Sequence, residues 1–74
     1  MLIRKISVGA DYKGSCMHYL VGQKVLNGTY TIHLIEYSAK SDSYIIYIER
    51  NREVVQWKEF NKNMPISIEF NIDF

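Results

Sequence analysis

The feature that most constrains this chain is the strict alternation of its last ten residues, 65–74. The apolar residues of this segment occupy every second position: Ile66, Ile68, Phe70, Ile72 and Phe74. Because successive side chains of a strand point to opposite faces, the segment predicts a β-strand with one apolar side and one polar side. A single strand is not stable alone in water, so the upstream residues must form the sheet that covers the apolar side.

Several upstream segments have the composition of strands. The predicted strands cover residues 2–8, 29–37, 44–50 and 54–60, with a brief strand at 24–26. Asn27-Gly28 is a strong hairpin-turn dipeptide, since both residues tolerate the positive φ of a type I′ turn. No segment shows a sustained apolar period of 3.6 residues, so no helix longer than a single turn is predicted.

One strand does not alternate cleanly. Within 29–37, Ile32 and Ile35 fall on opposite faces of an ideal strand. This pattern leaves two readings open, a β-bulge that shifts the alternation or a sheet that is partly covered on both faces.

Residues 10–23 differ from the rest of the chain. They contain Gly14 and Gly22, and their apolar and aromatic residues follow no period. We expect a long ordered loop, with one helical turn or a short strand near residues 17–21. Loops of this length in compact domains are usually functional when they are ordered.

These segments predict an all-β fold in one small domain, 1–74. The expected architecture is an antiparallel barrel of five or six strands with one long N-terminal loop. The spacing of residues 21–60 resembles an SH3-like barrel, and an OB-like barrel is the alternative. In either barrel the first and last strands are expected to lie near each other and to help close the sheet.

Composition limits the classes of function. The chain has 74 residues, a formal net charge of +1 and a single cysteine, Cys16. An internal disulfide is therefore impossible. Small domains without a disulfide or a bound metal often gain stability by self-association, so we expect a homo-oligomer. The absence of a basic excess makes duplex nucleic acid an unlikely partner class. No apolar run is long enough to cross a membrane, no signal peptide is recognisable and the one cysteine is a free thiol, so we expect a cytoplasmic protein. We expect no cofactor.

Catalytic and metal-binding patterns are weak. Cys16 and His18 would share a face on a strand, but no third residue is marked to orient them. His18 and His33 are the only histidines and lie on different predicted elements, which is weak evidence for a metal site. The glutamates fall on the polar sides of predicted strands, where solvated carboxylates are expected: Glu36, Glu49, Glu59 and Glu69. We therefore predict a protein that is not an enzyme.

Aromatic residues close to cations are the more informative feature, because nucleobases stack on aromatic rings and phosphates accept charge-assisted hydrogen bonds. The candidate phosphate-binding residues are Lys5, Lys13, Arg50, Arg52 and Lys58. The candidate stacking residues are Tyr12, His18 and Tyr19. Trp57 alternates with Val55, which favours a core position over a stacking role.

Short stretches spread over the chain resemble small early proteins of tailed bacteriophages. They are Ile6-Ser7-Val8-Gly9, Met17-His18-Tyr19, Val21-Gly22-Gln23, Trp57-Lys58-Glu59 and Met64-Pro65-Ile66. The resemblance implies a counter-defence factor, of the kind that either caps a host protein or sequesters a nucleotide signal.

Three functions follow as hypotheses. The first is the sequestration of a small anionic, nucleotide-like ligand in the host cytoplasm. The second is the inhibition of a host defence protein by docking, through an exposed edge strand or a tyrosine-rich face. The third, single-stranded nucleic-acid binding on the barrel face, fits the predicted fold but not the charge.

Overall fold

A computed structural model describes residues 3–9, 17–63 and 66–70. Within these residues every regular element is a strand, and no helix is present that could span a membrane. The strands in chain order are β1 (Ile3–Val8), β2 (Met17–Leu20), β3 (Lys24–Val25), β4 (Tyr30–Ser38), β5 (Ser43–Arg50), β6 (Glu53–Asn61) and β7 (Ile66–Phe70). The all-β prediction is confirmed, with six strands of four or more residues and the two-residue β3.

The strands form two antiparallel sheets. A three-stranded sheet has the order β2-β1-β7, and a four-stranded sheet has the order β3-β4-β5-β6. One of the sheets curls strongly into half a barrel, which is consistent with the predicted small barrel. The predicted neighbourhood of the first and last strands is confirmed, because β1 pairs with β7 from Ile3–Phe70 to Val8–Ile66.

The chain passes from the small sheet to the large one through residues 21–23. The Val21 amide donates to the Arg4 carbonyl on β1 (2.9 Å), and the Gly22 amide donates to the Ile32 carbonyl on β4 (2.9 Å). The Ile32 amide in turn donates to the Gln23 carbonyl (2.8 Å). These bonds join the two sheets at one corner. The end of the predicted long loop is thus a short strand, β2, rather than a helical turn.

The core lies between the two sheets and is mostly isoleucine. Its fully buried or nearly buried members are Ile3, Ile6, Val8, Tyr19, Ile32, Ile35, Ile46 and Ile48. We call the side of the four-stranded sheet that carries Ile32, Ile35, Ile46 and Ile48 its inner face, and the opposite side its outer face. Ile66 and Ile68 of β7 pack against the core, so the described part of the C-terminal alternation turns its apolar side inward, as predicted.

Two bulges set which residues face the core. On β4 the register shifts between Ile32 and Leu34, leaving His33 as the extra, exposed residue. The bulge is confirmed, and it lets Ile32 and Ile35 both reach the inner face. The outer face is also partly covered, since Ser43 and Ile45 of β5 are 2% and 8% exposed there. On β6 the register shifts at Trp57, between the pairs Ile46–Lys58 and Tyr47–Gln56.

The Asn27-Gly28 turn is confirmed with one difference. Leu26, Asn27 and Gly28 all have positive φ (54°, 59° and 80°). The Thr29 amide donates to the Leu26 carbonyl and the Gly28 amide donates to the Val25 carbonyl, each at 3.2 Å. The loop between β3 and β4 therefore consists of two overlapping turns instead of one two-residue turn.

A polar triad links the β4–β5 loop to the end of β6. The Tyr37 hydroxyl donates to Asp42, and the Lys62 ammonium contacts the same carboxylate at 2.9 Å. The hydrogen bonds from Tyr37 and then Lys62 lower the pKa of Asp42. The hydrogen bond to Asp42 raises the pKa of Tyr37 above its usual 10.0 and that of Lys62 above its usual 10.5.

These shifts predict how the triad's contribution to stability depends on pH. The contribution of Asp42 is present above its unfolded pKa of about 4 and is lost as the pH falls through the lower folded pKa. The contributions of Tyr37 and Lys62 are present below about pH 10 and are lost as the pH rises through their raised folded pKa values. Urea titrations should show Tyr37→Phe less stable than the natural chain at pH 7, with the difference shrinking at pH 3. A difference independent of pH would contradict this role.

Candidate functional site

A concave site lies at the end of the β5–β6 hairpin. Arg50 of β5 pairs with Glu53 of β6, and Asn51 and Arg52 form the two-residue turn between them. Both turn residues have positive φ (51° and 68°), as a type I′ turn requires. Asn adopts this conformation readily, whereas the Cβ of an arginine makes it costly.

Next to this turn, the inner face of the sheet opens into a cavity of about 290 Å³, which we call the Tyr30 cavity. It is lined by Tyr30, Arg50, Asn51, Glu53 and Val55. Tyr30 begins β4 and packs with part of its ring against the core. The cavity therefore has an apolar and aromatic wall on one side and polar hairpin residues on the other.

The two charged groups in the lining carry opposite signs. The Arg50 guanidinium lies over the Tyr30 ring, 5.6 Å from its centroid, which is a cation–π arrangement. Glu53 sits beside it across the hairpin and supplies carboxylate acceptors. Arg52 is exposed on the adjacent turn. Counting this rim residue, two guanidinium groups stand against one carboxylate, so the site is net positive.

Arg52 provides a direct test of backbone strain at this rim. Arg52→Gly should raise the free energy of unfolding by about 0.5–1 kcal/mol, because glycine adopts positive φ without the Cβ clash. The matched control is Asn51→Gly, which should change stability little, since Asn already tolerates this conformation. Urea unfolding of the two variants beside the natural chain measures both values. A loss of stability in Arg52→Gly would contradict the assignment of strain.

Lys58 and Trp57 form a second aromatic–cation pair. The Lys58 ammonium lies 4.9 Å from the centroid of the Trp57 ring. The bulge places both residues on the inner side of β6, because Lys58 is in register with the buried Ile46 and Trp57 packs against the core. Trp57 is half-buried and meets Tyr19 edge to face at 5.7 Å. Trp57 therefore packs mainly against the core, and the Lys58 ammonium covers part of the ring surface that remains.

Lys5 and His18 lie on the small sheet, away from the core. Lys5 pairs in register with Leu20, and Ser7 pairs with His18, on the side opposite to the buried Ile6. The exposed His18 ring is hydrogen bonded through Nδ1 to the Ser7 hydroxyl at 2.8 Å. These two candidate residues share a face with each other but belong to a different sheet from Arg50, Arg52 and Lys58.

The stacking role predicted for Tyr19 requires correction. The ring is only 8% exposed and lies between the core and two aromatic neighbours. It stacks on Phe60 at 5.7 Å with an interplanar angle of 30°, in addition to its edge contact with Trp57. Because protein atoms occupy its surfaces, Tyr19 cannot offer a face to a base. Tyr12, Lys13 and Cys16 lie outside the described residues.

Two glutamates of the outer face, Glu36 and Glu59, accept hydrogen bonds from uncharged donors. Ser43, which is 2% exposed, donates its hydroxyl hydrogen to Glu59, and Gln56 lies 3.4 Å from the same carboxylate. The Tyr47 hydroxyl donates to Glu36 at 3.4 Å. Burial and then the charge of Glu36 raise the pKa of Tyr47. Across residues 3–9, 17–63 and 66–70, no three His, Cys, Asp or Glu side chains come together as a metal site.

Sequence reasoning found Arg50 and Arg52 but missed Tyr30, Asn51, Glu53 and Val55 as site residues. The signal for Tyr30 was its position at the start of a strand that pairs with the strand ending at Arg50. That pairing depends on the bulge at His33, which shifts the register by one residue.

Comparisons with known proteins do not add a family to this geometry. Scans of protein-family models, curated proteins and solved structures each find no significant match to this chain.

Proposed function

We propose that this protein is a non-enzymatic binding protein that holds a small anionic, nucleotide-like ligand at the Tyr30 cavity. The observation that carries the proposal is the pairing of an aromatic wall with a guanidinium in one concave site, Tyr30 with Arg50. A base needs a flat surface to stack on and a phosphate needs charge-assisted donors. The Arg50 guanidinium can supply both, because the side of its plane that faces away from Tyr30 can stack on a base and its N–H groups can donate to a phosphate. The cavity volume of about 290 Å³ lies just below the usual range for ligand pockets, about 300–1,000 Å³.

The conformation of Arg52 also supports the proposal. An arginine stands where the turn geometry favours glycine, with φ at 68°. Strained backbone conformations concentrate at functional sites, where a side chain is worth more than the strain it causes. A guanidinium on this rim can donate two parallel hydrogen bonds to a phosphate that enters the cavity beside Arg50.

Glu53 lets the site discriminate between anionic ligands. Its carboxylate accepts hydrogen bonds from amino groups or sugar hydroxyls, and it repels a second phosphate placed close to it. A ligand with a phosphate on the arginine side and a hydroxyl- or amino-bearing part on the Glu53 side fits both demands. Inorganic phosphate alone satisfies only the first.

Isothermal titration against cyclic dinucleotides and adenosine-diphosphate-ribose derivatives tests the proposal. For any member that binds, Arg50→Gln should weaken affinity about 10- to 100-fold, the value of one charge-assisted hydrogen bond to phosphate. The matched control is Lys40→Gln, which removes an exposed cation in the β4–β5 loop outside the cavity. No heat with any member of the panel, or equal losses in both variants, would contradict the proposal.

The biological setting that we propose is counter-defence in a bacteriophage-infected cell, where a binding protein of this kind removes a nucleotide signal. This part of the proposal rests on the resemblance to tailed-phage early proteins. Native mass spectrometry of freshly purified protein addresses it most directly, since a retained nucleotide would appear as added mass and would identify the signal.

A second candidate function is docking to a host protein. It is favoured by exposed apolar side chains at the end of β2 and in the connection after it, Leu20 and Val21, each 37% exposed. Capture of a stoichiometric bacterial protein that Leu20→Lys abolishes and Arg50→Gln leaves unchanged would favour docking over ligand binding.

A further inference from the structure

The outer edge of β6 is the longest unpaired strand edge in the described part of the chain. β6 runs for nine residues at the end of the order β3-β4-β5-β6, and no described strand pairs with its outer side. An open edge of this length is a template for another strand, and native proteins usually shorten or cover it.

The apolar residues at this edge are exposed on both faces of the sheet. Val54 is 44% exposed and Val55 is 38% exposed. Val55 is in register with the buried Ile48 and so belongs to the inner face, whereas Val54 is in register with Glu49 and belongs to the outer face. A strand added alongside β6 would cover both side chains at once.

The hairpin geometry defines which backbone groups point outward. In a two-residue hairpin the residues flanking the turn, here Arg50 and Glu53, form a hydrogen-bonded pair. Because the bonding direction alternates, Val54 and Gln56 direct their N–H and C=O groups away from β5. A second strand can therefore bond to these two residues before the bulge at Trp57 interrupts the edge.

We propose that a second copy of this chain pairs with β6, antiparallel and about a two-fold axis at Val55. This register places Val55 opposite Val55 of the second copy and places Val54 opposite Gln56 in hydrogen-bonded pairs. It also places Glu53 opposite Trp57 of the other copy, beside the Lys58 ammonium that lies over that ring. The pairing thus joins two valines at its centre and places Glu53 beside Lys58 of the other copy on each side. Arg52 falls opposite the same lysine at the turn, where its side chain is exposed to solvent.

The proposed dimer borders the Tyr30 cavity, since Glu53 and Val55 belong to both. The second copy would place its residues 55–57 along the open rim and reduce the access of water to the site. This consequence rests on the proposed ligand function, whereas the pairing itself does not. Sedimentation without ligand tests the pairing alone, and titration tests the ligand site alone.

Sedimentation velocity at tens of micromolar protein should give a dimer for the natural chain. Val54→Lys should give a monomer, because it places a charge in the pairing surface without touching the cavity. The matched control is Leu26→Lys, which charges another exposed apolar residue (48% exposed) in the β3–β4 turn and should remain dimeric. A monomeric natural chain, or a dimer that Val54→Lys does not weaken, would overturn the proposal.

Cross-linking tests the register. Residues opposite each other in a non-hydrogen-bonded antiparallel pair have Cα atoms about 4.5 Å apart, within disulfide range. In a Cys16→Ser background, Val55→Cys should therefore form an intermolecular disulfide on mild oxidation, and Val54→Cys should form much less. Equal cross-linking at the two positions would overturn the proposed axis.

Discussion

Ile46→Ala is expected to lower the free energy of unfolding by about 2–5 kcal/mol. Ile46 is 0% exposed on the central strand β5, in register with Ile35 on one side and Lys58 on the other. Truncation removes apolar contacts and leaves a cavity that the paired strands cannot collapse to fill. A domain of this length has a total stability of about 4–11 kcal/mol, so the variant would be close to unfolding.

Urea denaturation followed by far-ultraviolet circular dichroism measures this effect. The matched control is Ile46→Val, which removes one methyl group and should cost about 0.5–1.5 kcal/mol. Val54→Ala, at an exposed edge position, should cost less than either. If Ile46→Ala loses no more stability than Ile46→Val, the core described between the two sheets is wrong.

Tyr19→Ala is expected to have an effect of similar size, a loss of about 3–5 kcal/mol, the range for buried aromatic residues. Tyr19 fills the space between β1 and the aromatic residues of β6, Trp57 and Phe60. Removing the ring leaves the small sheet without its main aromatic contact to the large one. Trp57 is the only tryptophan, so its fluorescence should shift to longer wavelength as water reaches the exposed edge.

Tyr19→Phe and Tyr19→Leu separate packing from ligand binding. The phenylalanine variant keeps the ring and should stay within about 1.5 kcal/mol of the natural chain, the usual cost of a volume-conserving change. Tyr19→Leu keeps an apolar side chain in the core without an aromatic face. If Tyr19→Leu folds normally but loses the ligand that the natural chain binds, Tyr19 would belong to the site after all.

Much of this fold follows from residue order, because alternation indicates strands wherever one face is buried. The segments around Ile6, Ile46 and Ile68 were each predicted as strands for this reason. The bulge at His33 is one of the two readings that the sequence leaves open, since Ile32 and Ile35 reach one core if an extra residue stands between them. Here the sequence pattern and the packing demand agree.

The bulge at Trp57 was not predictable in the same way. Val55 and Trp57 alternate as in a regular strand, and Phe60 falls out of phase with them, but one aromatic residue near the end of β6 does not define where the register shifts. The shift follows from the pairing with β5, where Ile46 takes two residues of β6 as its neighbours. Lys58 therefore changes face, and its ammonium lies over the indole ring of Trp57.

Only part of the candidate site could be predicted from the sequence, for a related reason. Arg50 and Arg52 are close in sequence, whereas Tyr30 enters the site across the sheet. Such a contact depends on strand register, which is set by turns and bulges together. The sequence could not tell whether Tyr19 faces the core or the solvent. An aromatic residue next to glycines can point either way, and β2 has only four residues, too few for alternation to show which face is buried.

The pairing of β1 with β7 has a consequence for folding kinetics. The hairpins β4–β5 and β5–β6 join neighbours in sequence, so they close short loops, while β1 must find a strand that follows all the others. Closing that long loop lowers the entropy of the chain before the contacts between β1 and β7 can stabilise the structure. The antiparallel strands β4, β5 and β6 would then form early and the three-stranded sheet late. Ile6 and Val8 of β1 would stay in contact with water until this last step of folding.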